Sequence, residues 1–296
     1  MGSKIQGKIL INAYKKPVES VRQAERLKDE FSKLFCDVEI LSNGFLSCSI
    51  ENGRFVSDLA KNDFIIYLDK DKYLSEQLSA LGVRLFNSHE SIRVCDDKGQ
   101  TYIALAKAGI PVPDTIFGAL CYDKNDNYSI DSLTEIVKKL KFPIIVKESF
   151  GSMGRGVYLA KDMEELVLIA EKVKLKPHIF QKYLPYKFGT DIRVIVIGGK
   201  VIGAIKRSSQ TDFRSNVAVG GTATAITLDK PYIELAEKTA KALSLDYCGI
   251  DILYGDNAEP VICEVNSNAF FEGMEKATNI NVAKAYAEYV LSAIKG

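Results

Sequence analysis

Short aliphatic and β-branched runs alternate with amphipathic stretches over the first ninety residues. Residues 8–12, 37–41 and 63–68 have the composition and length of buried strands. Between them, residues 18–34 put Val18, Val21, Leu27, Phe31 and Leu34 on one helical face. Residues 73–81 predict a second helix, stopped by Gly82, and residues 83–87 a further strand. Strands alternating with helices predict a small open α/β unit up to about residue 94.

Beyond it the periods change. Residues 98–108 predict a helix capped by Asp96 or Asp97 and ended by Gly109, and Pro111 and Pro113 impose extended chain. Residues 131–140 read as helix, 143–148 as strand, 149–154 as a glycine loop and 156–159 as the returning strand. Asp162 and Glu165 form a capping box that opens a helix to about residue 173. A hairpin over 191–207 turns at Gly198 and Gly199. After it come a helix at 231–243, a second hairpin pairing 249–254 with 261–266, and a terminal helix near 282–294. Tandem repeats and low-complexity linkers are missing from the pattern. The fold class that follows is mixed α/β.

The second hairpin carries the candidate chemistry. With Tyr254 facing Val261, counting back sets Asp251 opposite Glu264, and Asn266 shares the face of Glu264. Opposed carboxylates weaken a ladder. A divalent cation reverses that sign, and three oxygen side chains facing a phosphate suit Mg²⁺. A solvated acidic pair is the alternative, and the apolar residues at the neighbouring positions argue against it.

The stretch Ser149-Phe150-Gly151-Ser152-Met153-Gly154-Arg155-Gly156 lacks the Lys-Ser/Thr pair of a Walker A loop, and its glycines do not open a helix as in a dinucleotide fingerprint. Strand, glycine loop and strand instead suit a flap whose N–H groups close over a triphosphate, although glycines in a turn also serve geometry alone. Lys147 ends an apolar run and Lys98 sits in the first turn of a helix. Both placements are unfavourable for a cation unless an anion is near. In the first hairpin, with Ile197 facing Lys200, Asp191 is expected opposite Lys206. Arg193 shares the face of Asp191, and Arg207 and Arg214 flank a polar loop ending near Gly220 and Gly221, an arrangement suited to binding carboxylate or phosphate.

Bulk properties exclude several classes. The chain has 296 residues, 39 basic and 38 acidic, for a net charge of +1. That balance offers no general attraction for nucleic acid or an anionic membrane. No apolar run reaches the roughly 18–20 residues of a spanning helix. Six cysteines without C-x-x-C spacing fit free thiols in a reducing cytoplasm. His89 and His178 are too isolated for a histidine metal site.

Taken in order, Lys98, residues 142–147 with the glycine loop, 181–183, Asp191-Ile192-Arg193, 212–216, Gly249-Ile250-Asp251 and 264–268 resemble the ATP-grasp ligases. Asp-Phe-Arg-Ser-Asn followed by Gly-Gly, with Glu-Gly-Met-Glu-Lys-Ala-Thr at 272–278, resembles the RimK-type glutamate ligases, which add glutamate to ribosomal protein S6 and to small-molecule relatives. The resemblance covers about residues 85–285. It implies an ATP-grasp fold behind an N-terminal pre-ATP-grasp domain at 1–94, with a central subdomain at 95–183 and a C-terminal one at 184–296.

It also implies roles. Lys98 and Lys147 would hold ATP phosphates under a flap that includes Ser152, Met153 and Gly154. Lys182 and Tyr183 would lie on the hinge beside adenine, and Asp191 would contact the nucleotide. Arg207, Arg214, Ser215 and Asn216 would line the phosphate and acceptor side, with Arg207, Arg214 and Asn216 as the catalytic candidates. Asp251, Glu264 and Asn266 would bind two Mg²⁺ or Mn²⁺ ions. The implied partners are ATP, an acidic amino acid (glutamate first) and an amine or carboxylate acceptor, and a homo-oligomer is compatible with the family. Ala218-Val219 stands where family members often have His-Arg, and Asn268-Ala269-Phe270 where they often have Ser-Pro-Gly. A small-molecule carboxylate kinase and a non-catalytic ATP-binding module are the rival readings.

Overall fold

The computed structural model describes residues 5–14, 18–44, 47–152, 154–210 and 222–295. Three main sheets follow one another along the chain. The first holds β1 (Gly7–Ile11), β2 (Val38–Ser42), β5 (Phe64–Leu68) and β6 (Arg84–Phe86), parallel in the order β2-β1-β5-β6. An exposed side hairpin, β3 (Ser49–Glu51) with β4 (Arg54–Val56), precedes β5. All five residues of β5 are buried. A parallel strand covered on both faces is expected to be apolar throughout, as Phe-Ile-Ile-Tyr-Leu is. Helix α1 (Val18–Lys33) buries Ala24, Leu27 and Phe31, and Asp71 caps α2 (Lys72–Ala80).

The sequence pattern did not reveal α3 (His89–Asp96), capped by Ser88. It buries only Ser91, Ile92 and Cys95, too few positions to establish a period. Helix α4 (Lys98–Lys107) begins directly after it, and Asp97 is its cap.

The second sheet is antiparallel, in the order β7 (Thr115–Phe117), β10 (His178–Lys182), β8 (Ile144–Glu148), β9 (Val157–Ala160). Helices α5 (Ile130–Leu140) and α6 (Met163–Val173) cover one face through Leu133, Leu140, Leu166 and Ala170, which pack on Ile144, Val146 and Phe180. Period-two alternation therefore turns Ile145 and Lys147 to the other face. Half of the expected capping box forms at α6. Asp162 accepts from the Glu165 amide, whereas Glu165 reaches back to the Lys161 amide rather than that of Asp162.

The third sheet is β11 (Thr190–Ile197), β12 (Lys200–Ser208), β13 (Thr222–Ala225), β14 (Tyr247–Tyr254) and β15 (Pro260–Asn266), antiparallel in the order β13-β12-β11-β14-β15. Helices α7 (Lys230–Ala242), α8 (Glu272–Thr278) and α9 (Val282–Lys295) accompany it.

The cores cross the segment borders expected from the sequence. Leu105 and Ile110, just after residue 95, share a cluster with Val194, Ile250 and Val265 of the third sheet. Tyr286 and Val290 of the terminal helix share one with Leu27 and Phe31 of α1. Asn87 adds a polar tie. Its amide nitrogen donates to the carbonyls of Tyr247 (2.8 Å) and Ser267 (2.7 Å), and its oxygen accepts from the Asp246 and Tyr247 amides. The end of the first sheet is thereby fixed to both ends of the β14–β15 hairpin region.

Candidate active site

The free face of the second sheet and one face of the third enclose a cleft. Ile145, Lys147, Lys182 and Tyr183 line it from one side, Asp191, Asp251, Leu253 and Glu264 from the other, and Lys98, Gly151, Ser152 and Gly154 close one end. Its walls are apolar at Ile145 and Leu253 and cationic where the two lysines meet.

Asp251 does pair with Glu264, but not by the predicted register. Tyr254 faces Pro260 rather than Val261, and a bulge between Asp251 and Ile252 takes up one residue. The two deviations cancel, because a bulge sets two residues of one strand against one of the other. In the other hairpin they do not. A bulge between Ile195 and Val196 moves Asp191 opposite Arg207 instead of Lys206. Arg207 grips Asp191 with two nitrogens, at 2.7 and 2.5 Å, and reaches Asp251 at 3.0 Å. Arg193 of β11 forms a second two-pronged pair with Asp251, one prong at 2.8 Å. Burial raises the Asp251 pKa, and the two guanidiniums outweigh it and hold the group below the usual carboxylate range. The anions that Arg207 needs are thus supplied by the protein itself. Sequence reading placed Arg193 on the face of Asp191 but gave it no role, since the register that brings it to Asp251 is set by a non-adjacent strand.

Lys147 is 7% exposed. Its ammonium donates to the Tyr102 hydroxyl at 3.2 Å and lies 3.9 Å from Cys263 Sγ. Lys98 donates to the Gly151 carbonyl at 2.8 Å and stands 3.9 Å from Glu264 Oε1. Burial lowers the pKa of Lys98, Glu264 raises it and neighbouring Lys147 lowers it further. Two close ammonium groups in a sheltered cleft repel, and a polyanion between them removes the repulsion. In the loop above, Gly151, Gly154 and Gly156 have φ of +146°, +73° and +73°, a region that favours glycine. Lys182 instead turns its ammonium to Asp256 at 2.6 Å, leaving the backbone of 182–183 along the cleft. Met153, Arg214, Ser215 and Asn216, with Ala218 and Val219, lie outside the described residues.

Residues 95–290 match the family of the RimK-like ATP-grasp domain. The chain belongs to that family. It is 35% identical over 227 residues to human beta-citrylglutamate synthase B, across 76% of this chain and 57% of the relative. It is 37% identical over 225 residues to the glutamate–LysW ligase ArgX of Sulfurisphaera tokodaii, across 74% of this chain and 76% of the relative. The chain thus spans little more than half the length of the human relative. Its fold is that of the Bacillus anthracis D-alanine–D-alanine ligase solved with ATP (TM-score 0.74, 18% identity, 98% of this chain and 99% of the other).

The donor set of this RimK-like chain fits a hard divalent cation. Glu264 is partly exposed to the cleft and Asn266 lies two residues along the same strand face. Asp251 opposes Glu264 with its charge already shared by two arginines. One carboxylate paired only loosely with Lys98, one amide and one carboxylate shared by two arginines leave coordination positions for phosphate oxygens and water, as Mg²⁺ prefers. Among the described residues no group of three or more His, Cys, Asp or Glu is placed to hold a metal, so a site made by protein carboxylates alone is not offered. All six cysteines are free, and no described helix is long and apolar enough to cross a membrane.

Proposed function

We propose that the protein is an ATP-dependent carboxylate–amine ligase that joins glutamate to an acceptor through an acylphosphate. The observation that carries this reading is the convergence of Lys98 and Lys147 from separate elements on one cleft, facing Glu264 across it. Lysines placed against each other call for a polyphosphate, and the carboxylate beyond them calls for that polyphosphate's cation. Both curated relatives carry glutamate in their names, which supports glutamate as one substrate. The acceptor is a protein terminus or a small molecule.

In this reading a substrate carboxylate attacks the γ-phosphorus of ATP, the bond to the bridging oxygen breaks and ADP leaves. The amine then attacks the acyl carbon, loses a proton and expels phosphate, leaving an amide. Asp251, Glu264 and Asn266 would hold Mg²⁺ or Mn²⁺, two ions by family resemblance, and bound metal supplies charge neutralisation at the phosphates. Lys147 and Lys98 bind and orient phosphate oxygens, and the residues from Phe150 to Gly156 exclude water above them. The backbone at Lys182 and Tyr183 reads the adenine edge, Asp191 contacts the nucleotide, and Arg207 fixes Asp191 and Asp251 in place. Arg214, Ser215 and Asn216 remain proposed for the acceptor side. Positioning and electrostatics suffice for such a reaction, without a nucleophilic side chain. The segments 95–183 and 184–296 then supply the nucleotide lid and the metal face, behind the pre-ATP-grasp segment 1–94.

The test is ADP release with a panel of acids and amines, with products identified by mass spectrometry. An amide product whose formation requires both glutamate and an amine is expected. Phosphorylated product that accumulates without turnover to an amide would assign a kinase instead.

A further inference from the structure

Lys147 is a buried ammonium whose three N–H groups have one oxygen partner among the described residues, the Tyr102 hydroxyl at 3.2 Å. That hydroxyl in turn donates to the backbone carbonyl of Cys263 at 2.5 Å, the residue immediately before Glu264. Tyr102 is 4% exposed and sits one turn after Lys98 on α4, so both project from one helix face. The Lys147 ammonium also lies 5.7 Å from the centre of the Tyr102 ring. One hydroxyl therefore joins the lysine of the second sheet to the strand of the third sheet that carries Glu264.

We infer that Tyr102 is a positioning residue for nucleotide binding: its hydroxyl holds the Lys147 ammonium at a fixed separation from the Glu264 strand, with the remaining N–H groups turned to the cleft. This rests on the proposed reading of Lys147 as a phosphate ligand. The chemistry is specific to an oxygen at this position. A phenylalanine would fill the same space yet leave Lys147 with only the sulfur of Cys263 at 3.9 Å and remove the hydroxyl's donation to the Cys263 carbonyl. The one hydroxyl donates to the Cys263 carbonyl while it accepts from the Lys147 ammonium, so a single oxygen serves both contacts.

A double-mutant cycle on the full chain tests this. The probe is a non-hydrolysable ATP analogue with Mg²⁺, its Kd measured for wild type, Tyr102→Phe, Lys147→Met and the double variant. Tyr102→Phe is expected to raise Kd about three- to tenfold, the worth of one hydrogen bond. In the Lys147→Met background the same change should have no effect. An unchanged Kd in Tyr102→Phe, or an equal loss in both backgrounds, overturns the inference. If Lys147→Met itself binds the analogue normally, the reading of Lys147 has failed, and the inference with it. Should Tyr102→Phe unfold, recovery of the fold beside Lys147→Met still reports the pair, whereas unfolding in both backgrounds reduces Tyr102 to packing and overturns the proposal.

Discussion

Glu264 and Asp251 face each other as carboxylates, yet their surroundings assign them different dependencies. Glu264 has no described cation nearer than Lys98 at 3.9 Å, whereas Asp251 is buried between Arg193 and Arg207. Glu264→Gln should abolish ADP release and leave apo stability within about 0.5 kcal/mol of wild type, because its one long ion pair, to Lys98 at 3.9 Å, is offset by relief of its repulsion with Asp251. Asp251→Asn should abolish turnover and also destabilise the apo protein by roughly 2–5 kcal/mol, since two buried guanidiniums lose a counter-charge. Urea unfolding without nucleotide distinguishes them, and equal stability losses would show that Asp251 is not held by its arginines. The opposition of these carboxylates was legible in the sequence because alternation and hairpin length fix it to within one residue. The bulges were not read: Gly203 borders the one in the β11–β12 hairpin and is a mark that can signal a bulge, whereas the extra residue Cys263 in the β14–β15 hairpin carries no such mark. Arg193 was missed for the same reason that most long-range contacts are: β11 meets β14 only through the sheet order.

At the scale of elements, long periodic segments were read within one or two residues, while β3, β4, α3, β7, β10, β13 and α8 were not assigned. Each is short, three to eight residues, so its placement comes from neighbours rather than from its own pattern. The glycine loop is the opposite case, visible in sequence and confirmed in its backbone angles. Gly156 has φ of +73°, and a Cβ there would come within 3.0 Å of Glu148. Gly156→Ala should therefore raise the KM for ATP several-fold, with apo stability reduced by about 1 kcal/mol. Hydrogen exchange offers a separate check on the same loop. Amides of the described loop residues should exchange more slowly with ATP and Mg²⁺ than without, as phosphate oxygens accept from them. Equal protection in both states would sink the flap assignment.

On the scale of the whole molecule, the first and last helices tie the N-terminal sheet to the third sheet. Glu30 of α1, 3% exposed, accepts from Lys33 at 2.8 Å, from Asn281 at 3.1 Å and from Arg26 at 3.2 Å. Arg26 continues to Glu275 of α8 at 3.4 Å, so the network spans the ends of the chain. Burial opposes ionisation of Glu30, yet its three donors lower the pKa from 4.5 to about 2. A depressed carboxylate stabilises the folded state fully above its unfolded pKa and loses that contribution as pH falls through the folded value. The window is therefore about pH 4.5 down to about 2, and a shift of this size is worth at most roughly 3 kcal/mol. Subtracting the unfolding free energy of Glu30→Gln from that of wild type isolates it from other carboxylates. The difference should be constant above pH 5 and shrink steadily toward pH 2. A pH-independent difference would mean that Glu30 contributes shape alone, and that the junction between the chain ends is held by the apolar contacts of Leu27, Phe31, Tyr286 and Val290 without help from charge.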